Sequence, residues 1–92
     1  MIRSFGDTQT EALFKDKFVR RFQGIGRPAK RKLEVVNAAS RLEDLQIPPS
    51  IRLETLKGDR KGFHSIRVND QWRVVFKWLD GDAHEVCIVD YH

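Results

Sequence analysis

The chain has 92 residues, of which 40% are hydrophobic and 33% are charged, and its formal net charge is +4. This length is enough for one domain, residues 1–92, because a second core would leave too little chain to cover either one. No apolar run approaches the ~20 residues of a membrane span, and the N-terminus lacks a secretory signal, so we expect no membrane association and a cytoplasmic location.

The N-terminal segment alternates apolar and polar side chains, which predicts a short first strand over residues 1–5. Gly6 then breaks the pattern. Thr8 and Glu11 match a capping box, in which each side chain bonds a backbone amide of the first helical turn. A first helix is therefore expected to begin at Thr8, with an apolar side that extends to Phe18.

A second helix is expected to begin near Pro28, because proline is favoured in the first helical turn. Its apolar side chains recur at helical spacing and form a broad stripe that needs a sheet to pack on. Pro48 and Pro49 are expected to end the helix. The stripe comprises Leu33, Val35, Val36, Ala38, Ala39, Leu42 and Leu45.

From Arg52 onward the apolar period changes to two, which is the period of a β-strand. Residues 64–68, 72–78 and 83–89 form three such segments separated by turn dipeptides, and they predict an antiparallel meander. Residues 52–57 depart from strict alternation and are expected to form a bulged strand. The chain order predicts an α+β fold, in which the N-terminal strand and two helices pack on one face of a small antiparallel sheet.

The other face of that sheet is expected to stay open to a ligand. Arg67 and Arg73 flank the turn between two strands. Each occupies a position that alternates with the core residues of its own strand. Both guanidinium groups should therefore point to the open face. Together with Lys57 and Arg60, they predict a concavity that binds phosphate groups.

A run of basic residues along the helical region predicts a strongly positive surface. Such a surface suits the phosphates of RNA or DNA, and the alternative is an ordinary solvated helix face. The residues concerned are Arg20, Arg21, Arg27, Lys30, Arg31 and Lys32.

The remaining reactive side chains are expected to have structural roles. Cys87 is the single cysteine, lacks a partner for a disulfide or a metal site, and is expected to fill the core. His64 and His84 are expected to be exposed strand residues, and no Cys/His spacing indicates zinc. We therefore expect neither a metal nor another cofactor.

Three separated blocks stand in one order: Leu56-Lys57-Gly58-Asp59-Arg60, then Ser65 to Arg73, then the terminal Asp90-Tyr91-His92. Over nearly its whole length the chain resembles the HigB-type toxins of the RelE/ParE superfamily. The resemblance implies a RelE-like fold and an endoribonuclease that cuts mRNA in the ribosomal A site, with the 2′-hydroxyl as nucleophile and no metal. It also implies a cognate helix-turn-helix antitoxin of the HigA type, and a ribosomal partner for the basic stretch.

The resemblance further implies roles for individual residues. Asp90, Tyr91 and His92 match the family's catalytic C-terminal motif, in which His92 is the natural proton-transfer group. Lys57 and Arg73 match basic positions that stabilise the charge on the phosphate in the transition state.

One position departs from the family pattern. A histidine is usual where this chain has Glu54, and a glutamate can act as a base but cannot supply a cation. Glu54 is therefore a candidate catalytic residue whose role cannot be copied from the family.

Two other functions stay open at this point. A ParE-like toxin would share the fold but inhibit DNA gyrase, and the C-terminal Asp-Tyr-His motif argues against it. A non-enzymatic RNA-binding module would need only the basic stretch and would keep its function without His92.

Overall fold

A computed structural model describes residues 1–91, in which two α-helices pack on one face of a four-stranded sheet. The helices are α1, Thr8–Phe14, and α2, Gly26–Ala38. The strands are β1, Glu54–Thr55, β2, Phe63–Arg67, β3, Trp72–Leu79, and β4, Asp82–Asp90. Their order is β1-β2-β3-β4, and each neighbouring pair is antiparallel. The predicted α+β class, the two helices and the three-strand meander are confirmed.

The core lies between α2 and the sheet. Leu33 and Val36 of α2 are fully buried in one cluster with Ile66, Val74 and Phe76 from the strands. Burial of each such side chain contributes about 1.5–3 kcal/mol, so this cluster supplies much of the stability. Because strand side chains alternate, the residues between them in β2 and β3 point to the other face of the sheet.

The N-terminal segment does not form the predicted regular strand. Ile2 and Phe5 instead make two isolated parallel bridges, to Ala83 and Val86 of β4. Backbone hydrogen bonds of 2.7–3.1 Å accompany these bridges. Between the bridged residues of β4, Glu85 has a φ of 52° at a bulge, which interrupts the ladder and prevents continuous pairing.

Helix α1 begins at the predicted residue but has a different cap. Asp7, rather than Thr8, is the N-cap, and its carboxylate accepts a 2.6 Å hydrogen bond from the Thr10 amide. The helix ends before Asp16, which adopts a left-handed φ of 64°. Phe18 consequently lies outside the helix and is 78% exposed, so the predicted apolar side does not reach it.

Helix α2 ends earlier than predicted, at Ala38. The Asp44 carboxylate accepts hydrogen bonds of 3.0 and 3.1 Å from the amides of Ser40 and Arg41, and these bonds replace the helical pattern there. The end of the predicted stripe lies in a separate 3₁₀ turn, Leu42–Gln46, in which residues three apart share a face.

The predicted bulged strand over residues 52–57 is shorter in the structure. Only Glu54–Thr55 pairs with β2, because Arg52 adopts a left-handed φ of 52° directly after the 3₁₀ turn Pro49–Ile51. A further 3₁₀ turn, Gly58–Arg60, connects β1 to β2.

Thr10 joins α1 to the edge of β4. Its buried hydroxyl accepts a 3.0 Å hydrogen bond from the Ile88 amide and donates a 2.9 Å bond to Asp7. Thr10→Val keeps the shape but leaves the Ile88 amide unpaired, so we expect the free energy of unfolding to fall by about 1–3 kcal/mol in urea denaturation. The exposed Thr8 supplies the control, since Thr8→Val should change it by less than about 0.5 kcal/mol. Equal losses for the two variants would contradict the assigned role.

Candidate functional site

The sheet face turned away from the helices carries two of the predicted phosphate-binding residues at the end next to the β2–β3 turn. Arg67 of β2 and Arg73 of β3 are register partners, so their side chains leave the same face of the sheet side by side. Ile66 and Val74, their neighbours in sequence, are fully buried on the helix side. The two arginines therefore lie on the face where their parity predicted them.

The turn between β2 and β3 holds both guanidinium groups. Arg67 forms an ion pair with the Asp70 carboxylate. Arg73 donates a 3.0 Å hydrogen bond from Nη1 to the backbone carbonyl of Asn69. The Asn69 side chain accepts a 2.8 Å hydrogen bond from the Gln71 amide, which fixes the turn. The two cations are thus positioned by short-range contacts within one turn.

The C-terminal motif is divided between the two faces. By the register of β4, the Asp90 side chain starts on the helix side, and Gln71 donates it a 3.2 Å hydrogen bond. Tyr91 lies with the open face, since the Arg73 guanidinium carbon is 5.3 Å from the centroid of its ring. The catalytic role predicted for His92 falls on a residue outside the described part of the chain. Tyr91 therefore lies beside Arg73, whereas the Asp90 side chain leaves β4 on the opposite face of the sheet.

Glu54 stands at the edge of the open face, in the short strand β1. It pairs with Ser65, which pairs in turn with Val75. Val75 pairs with Cys87, so four side chains form one row across the sheet. Glu54 is exposed, whereas Ser65 and Val75 are fully buried, so this row of the face is covered and is not open to a ligand as expected. Because Arg67 is two residues further along β2, Glu54 lies diagonally from it on the same face.

Cys87 does not fill the core as predicted. It is half-buried on the open face, because alternation along β4 gives the core position to Val86. Burial and the charge of Asp7 raise the pKa of the thiol, while the charge and hydrogen bond of Arg60 act in the opposite direction. Arg60 therefore lies close enough to Cys87 for its charge to act on the thiol. Lys57, the other predicted phosphate-binding residue, is exposed just before the turn that carries Arg60.

The basic residues of α2 differ in their availability. Arg27 and Arg31 are exposed and line a groove of about 520 Å³ together with the exposed Phe18. Lys30 is engaged, because its ammonium group lies 2.6 Å from a backbone carbonyl oxygen and 2.8 Å from the Asp16 carboxylate. Of these three cations, the two arginines are the ones that present their charge to a partner.

The rest of the basic stretch is spread over two regions. Arg21 lies 5.4 Å from the centroid of the Trp72 ring, and Trp72 is the register partner of Asp90. Arg20 is exposed in the same turn as Arg21, and Lys32 is half-buried on α2. Arg21 thus lies at the end of the sheet that carries the C-terminal motif.

Arg52 belongs to the site although no sequence pattern pointed to it. The hydrogen bond and charge of Arg67 lower the pKa of Asp70, and the charges of Arg52 and Arg73 lower it further. Arg52 lies between a 3₁₀ turn and β1, where no periodicity applies, so only its charge could have drawn notice. Arg67 therefore contacts the Asp70 carboxylate directly, and Arg52 and Arg73 lie close enough for their charges to act on it.

The two histidines before the C-terminus are half-buried rather than exposed as predicted. His64 lies on the core side of β2, with Nδ1 3.2 Å from the Thr55 hydroxyl, and burial lowers its pKa. His84 pairs with Lys77 beyond the bulge, away from the arginines. Residues 1–91 hold no group of three or more His, Cys, Asp or Glu side chains that could bind a metal ion. The same residues include no helix with the length and apolarity to cross a membrane.

Comparisons with known proteins agree with the resemblance seen in the sequence. The family model described as "RelE-like toxin of type II toxin-antitoxin system HigB" matches residues 4–92. Toxin HigB-1 of Vibrio cholerae is 43% identical over 81 residues, covering 76% of this chain and 85% of that protein. Endoribonuclease HigB of Proteus vulgaris is 36% identical over 61 residues, covering 66% of this chain and 65% of that protein. A chain of the YoeB-YefM complex from Staphylococcus aureus has the same fold, with a TM-score of 0.62 and 18% identity over 100% of this chain and 98% of that one. The chain therefore belongs to the HigB family of RelE-like toxins of type II toxin-antitoxin systems.

Proposed function

We propose that this toxin is a ribosome-dependent endoribonuclease, which cleaves mRNA in the ribosomal A site by metal-independent acid–base catalysis. The observation that carries the proposal is the convergence of Arg67, Arg73 and Tyr91 on one open sheet face at the C-terminal end of the chain. The similarity to Endoribonuclease HigB of Proteus vulgaris supports the reaction class. In this proposal residues 1–92 act as one RelE-like domain in the cytoplasm, neutralised by a helix-turn-helix antitoxin of the HigA type.

The reaction needs cations beside the scissile phosphate, where charge develops as the 2′-hydroxyl attacks. Arg73 meets this need, because a guanidinium has five N–H donors and its bond to the Asn69 carbonyl uses one. Arg67 lies next to it on the same face, and Lys57 and Arg60 add positive charge from the β1–β2 connection. Together these side chains bind the RNA backbone and stabilise the transition state.

Proton transfer requires a base for the 2′-hydroxyl and an acid for the departing 5′ oxygen. Glu54, exposed at the edge of the open face, and the C-terminal His92 are the two groups proposed for these roles. Asp90 orients or charges the histidine. Tyr91, which is 40% exposed and lies beside Arg73, stacks on a base or donates a hydrogen bond to the phosphate.

Binding to the ribosome is assigned to the basic stretch, since rRNA presents a dense array of phosphates. The exposed members are Arg20, Arg21, Arg27 and Arg31, with Lys32 half-buried beside them. Lys30 belongs to the same predicted set, but its ammonium group is held by Asp16 and contributes mainly to the structure.

Loss of His92 tests the catalytic proposal most directly. We expect His92→Gln to reduce the rate of mRNA cleavage on purified ribosomes by about 10²–10⁴-fold, the usual contribution of one general acid or base. Single-turnover kinetics provide the rate, and thermal melting checks that the variant is folded. Cleavage at the full rate by a folded protein without the His92 imidazole would instead favour a non-enzymatic RNA-binding module.

Glu54 separates the acid–base assignments. If Glu54 is the base, Glu54→Gln should slow cleavage by about 10²–10⁴-fold, whereas Glu54→His should restore the usual family residue and raise activity. Glu43 is an exposed acid in the 3₁₀ turn after α2, so Glu43→Gln is a matched control with an unchanged rate. Equal rates for Glu54→Gln and the unaltered protein would remove Glu54 from the catalytic set.

The exposed arginines of α2 provide a separate test of ribosome binding. The double variant Arg27→Gln/Arg31→Gln should weaken co-sedimentation with ribosomes and reduce its salt dependence by about one to two units of logarithmic slope, because phosphate contacts are lost. Lys30→Gln serves as the control, and it should lower the melting temperature more than it weakens binding. An unchanged salt slope in the double variant would show that this helix face is an ordinary solvated surface that does not bind the ribosome.

A further inference from the structure

The arginines at the β2–β3 turn share one acidic neighbour. Asp70 pairs with Nη2 of Arg67, and the charges of Arg52 and Arg73 also act on it. The Asp70 side chain is 98% exposed, whereas that of Arg67 is 28% exposed. The carboxylate therefore sits on the solvent side of a guanidinium that is held against the sheet.

Arg67 keeps a second donor that the turn does not satisfy. Its Nε is buried and has no hydrogen-bond partner among residues 1–91, and the same is true of Ser65 Oγ. The two residues share a face of β2, because they are two positions apart along the strand. A buried polar group without a partner costs free energy, so the unpaired Nε shows that the turn leaves part of the Arg67 guanidinium unsatisfied.

Asp70 contributes little to the turn itself. The Asn69 side chain fixes the turn by accepting 2.8 Å hydrogen bonds from the amides of Gln71 and Trp72. An ion pair with an almost fully exposed carboxylate adds little to stability, because water and salt screen it. The position of Asp70 is therefore better explained by the charge of its neighbours than by folding.

We propose that Asp70 is a displaceable counter-ion, which occupies the arginine cluster Arg52, Arg67 and Arg73 until an RNA phosphate replaces it. A phosphate presents several oxygens and can engage two donors of one guanidinium at once, which a carboxylate held at Nη2 alone does not do. Arg52 then becomes an additional phosphate-binding residue. The inference rests on the proposed function, because that function supplies RNA as the ligand.

The test is the affinity for RNA that cannot be cleaved. A short single-stranded RNA with 2′-O-methyl groups is titrated into the protein at low salt, and the dissociation constant is measured by NMR. Asp70→Asn should bind about two- to fivefold more tightly, the range expected when an exposed ion pair no longer competes. Arg52→Gln should bind more weakly than the unaltered protein.

Two matched variants separate local competition from a change in net charge. Asp80 is exposed in the turn between β3 and β4, so Asp80→Asn removes the same formal charge and should leave the affinity unchanged. In an Arg67→Gln background, Asp70→Asn should give a smaller gain, because the direct ion pair with Arg67 is already lost and only the charges of Arg52 and Arg73 remain. The inference is overturned if Asp70→Asn binds no more tightly than Asp80→Asn, or if its gain is as large without Arg67.

Failure of this inference is distinguishable from failure of the proposed function. Absence of mRNA cleavage on ribosomes would reject the endoribonuclease proposal, while tighter binding by Asp70→Asn would still support the counter-ion role. Cleavage at the normal rate combined with unchanged RNA affinity in Asp70→Asn would reject the counter-ion role alone.

Discussion

The register between β2 and β3 is the constraint on which the rest of the site depends. Ile66 pairs with Val74, and both are fully buried beneath the helices. A slip of one residue would expose these two side chains and turn Arg67 and Arg73 into the core, where unpaired charges are very costly. Core packing thus holds two arginines side by side on the other face, although neither contributes to the core.

Like charges on opposed strand positions repel each other, so this arrangement needs local compensation. Three groups compensate the repulsion, of which two belong to the β2–β3 turn and the third is the residue after β4. A backbone carbonyl of Asn69 binds Arg73, the Asp70 carboxylate binds Arg67, and the electron-rich face of the Tyr91 ring lies against Arg73. The apolar core stabilises the fold, and the turn makes the charge pair tolerable. Such a local conflict, compensated nearby, is typical of functional sites.

Sequence periodicity was informative where one face of a strand is apolar and the other polar. Arg67 and Arg73 follow that pattern, and their face was predicted from parity alone. Cys87 lies in a run that is apolar on both faces of β4, so parity could not separate core from open face. Arg52 owes its place to a left-handed backbone, and the end of α2 depends on the Asp44 carboxylate. Neither of these has a periodic signature, because each is decided by a few local bonds.

The edge of β4 has a consequence for when the fold forms. The Glu85 amide bonds Ser4 across 81 residues of chain, and the Ile88 amide bonds Thr10 across 78. Contacts between such distant residues wait until the last strand has been synthesised, at roughly 5–20 residues per second. The first residues to emerge therefore have no docking surface while Tyr91 is still being added. The two ends of the domain therefore become ordered together, although one of them is made first and the other last.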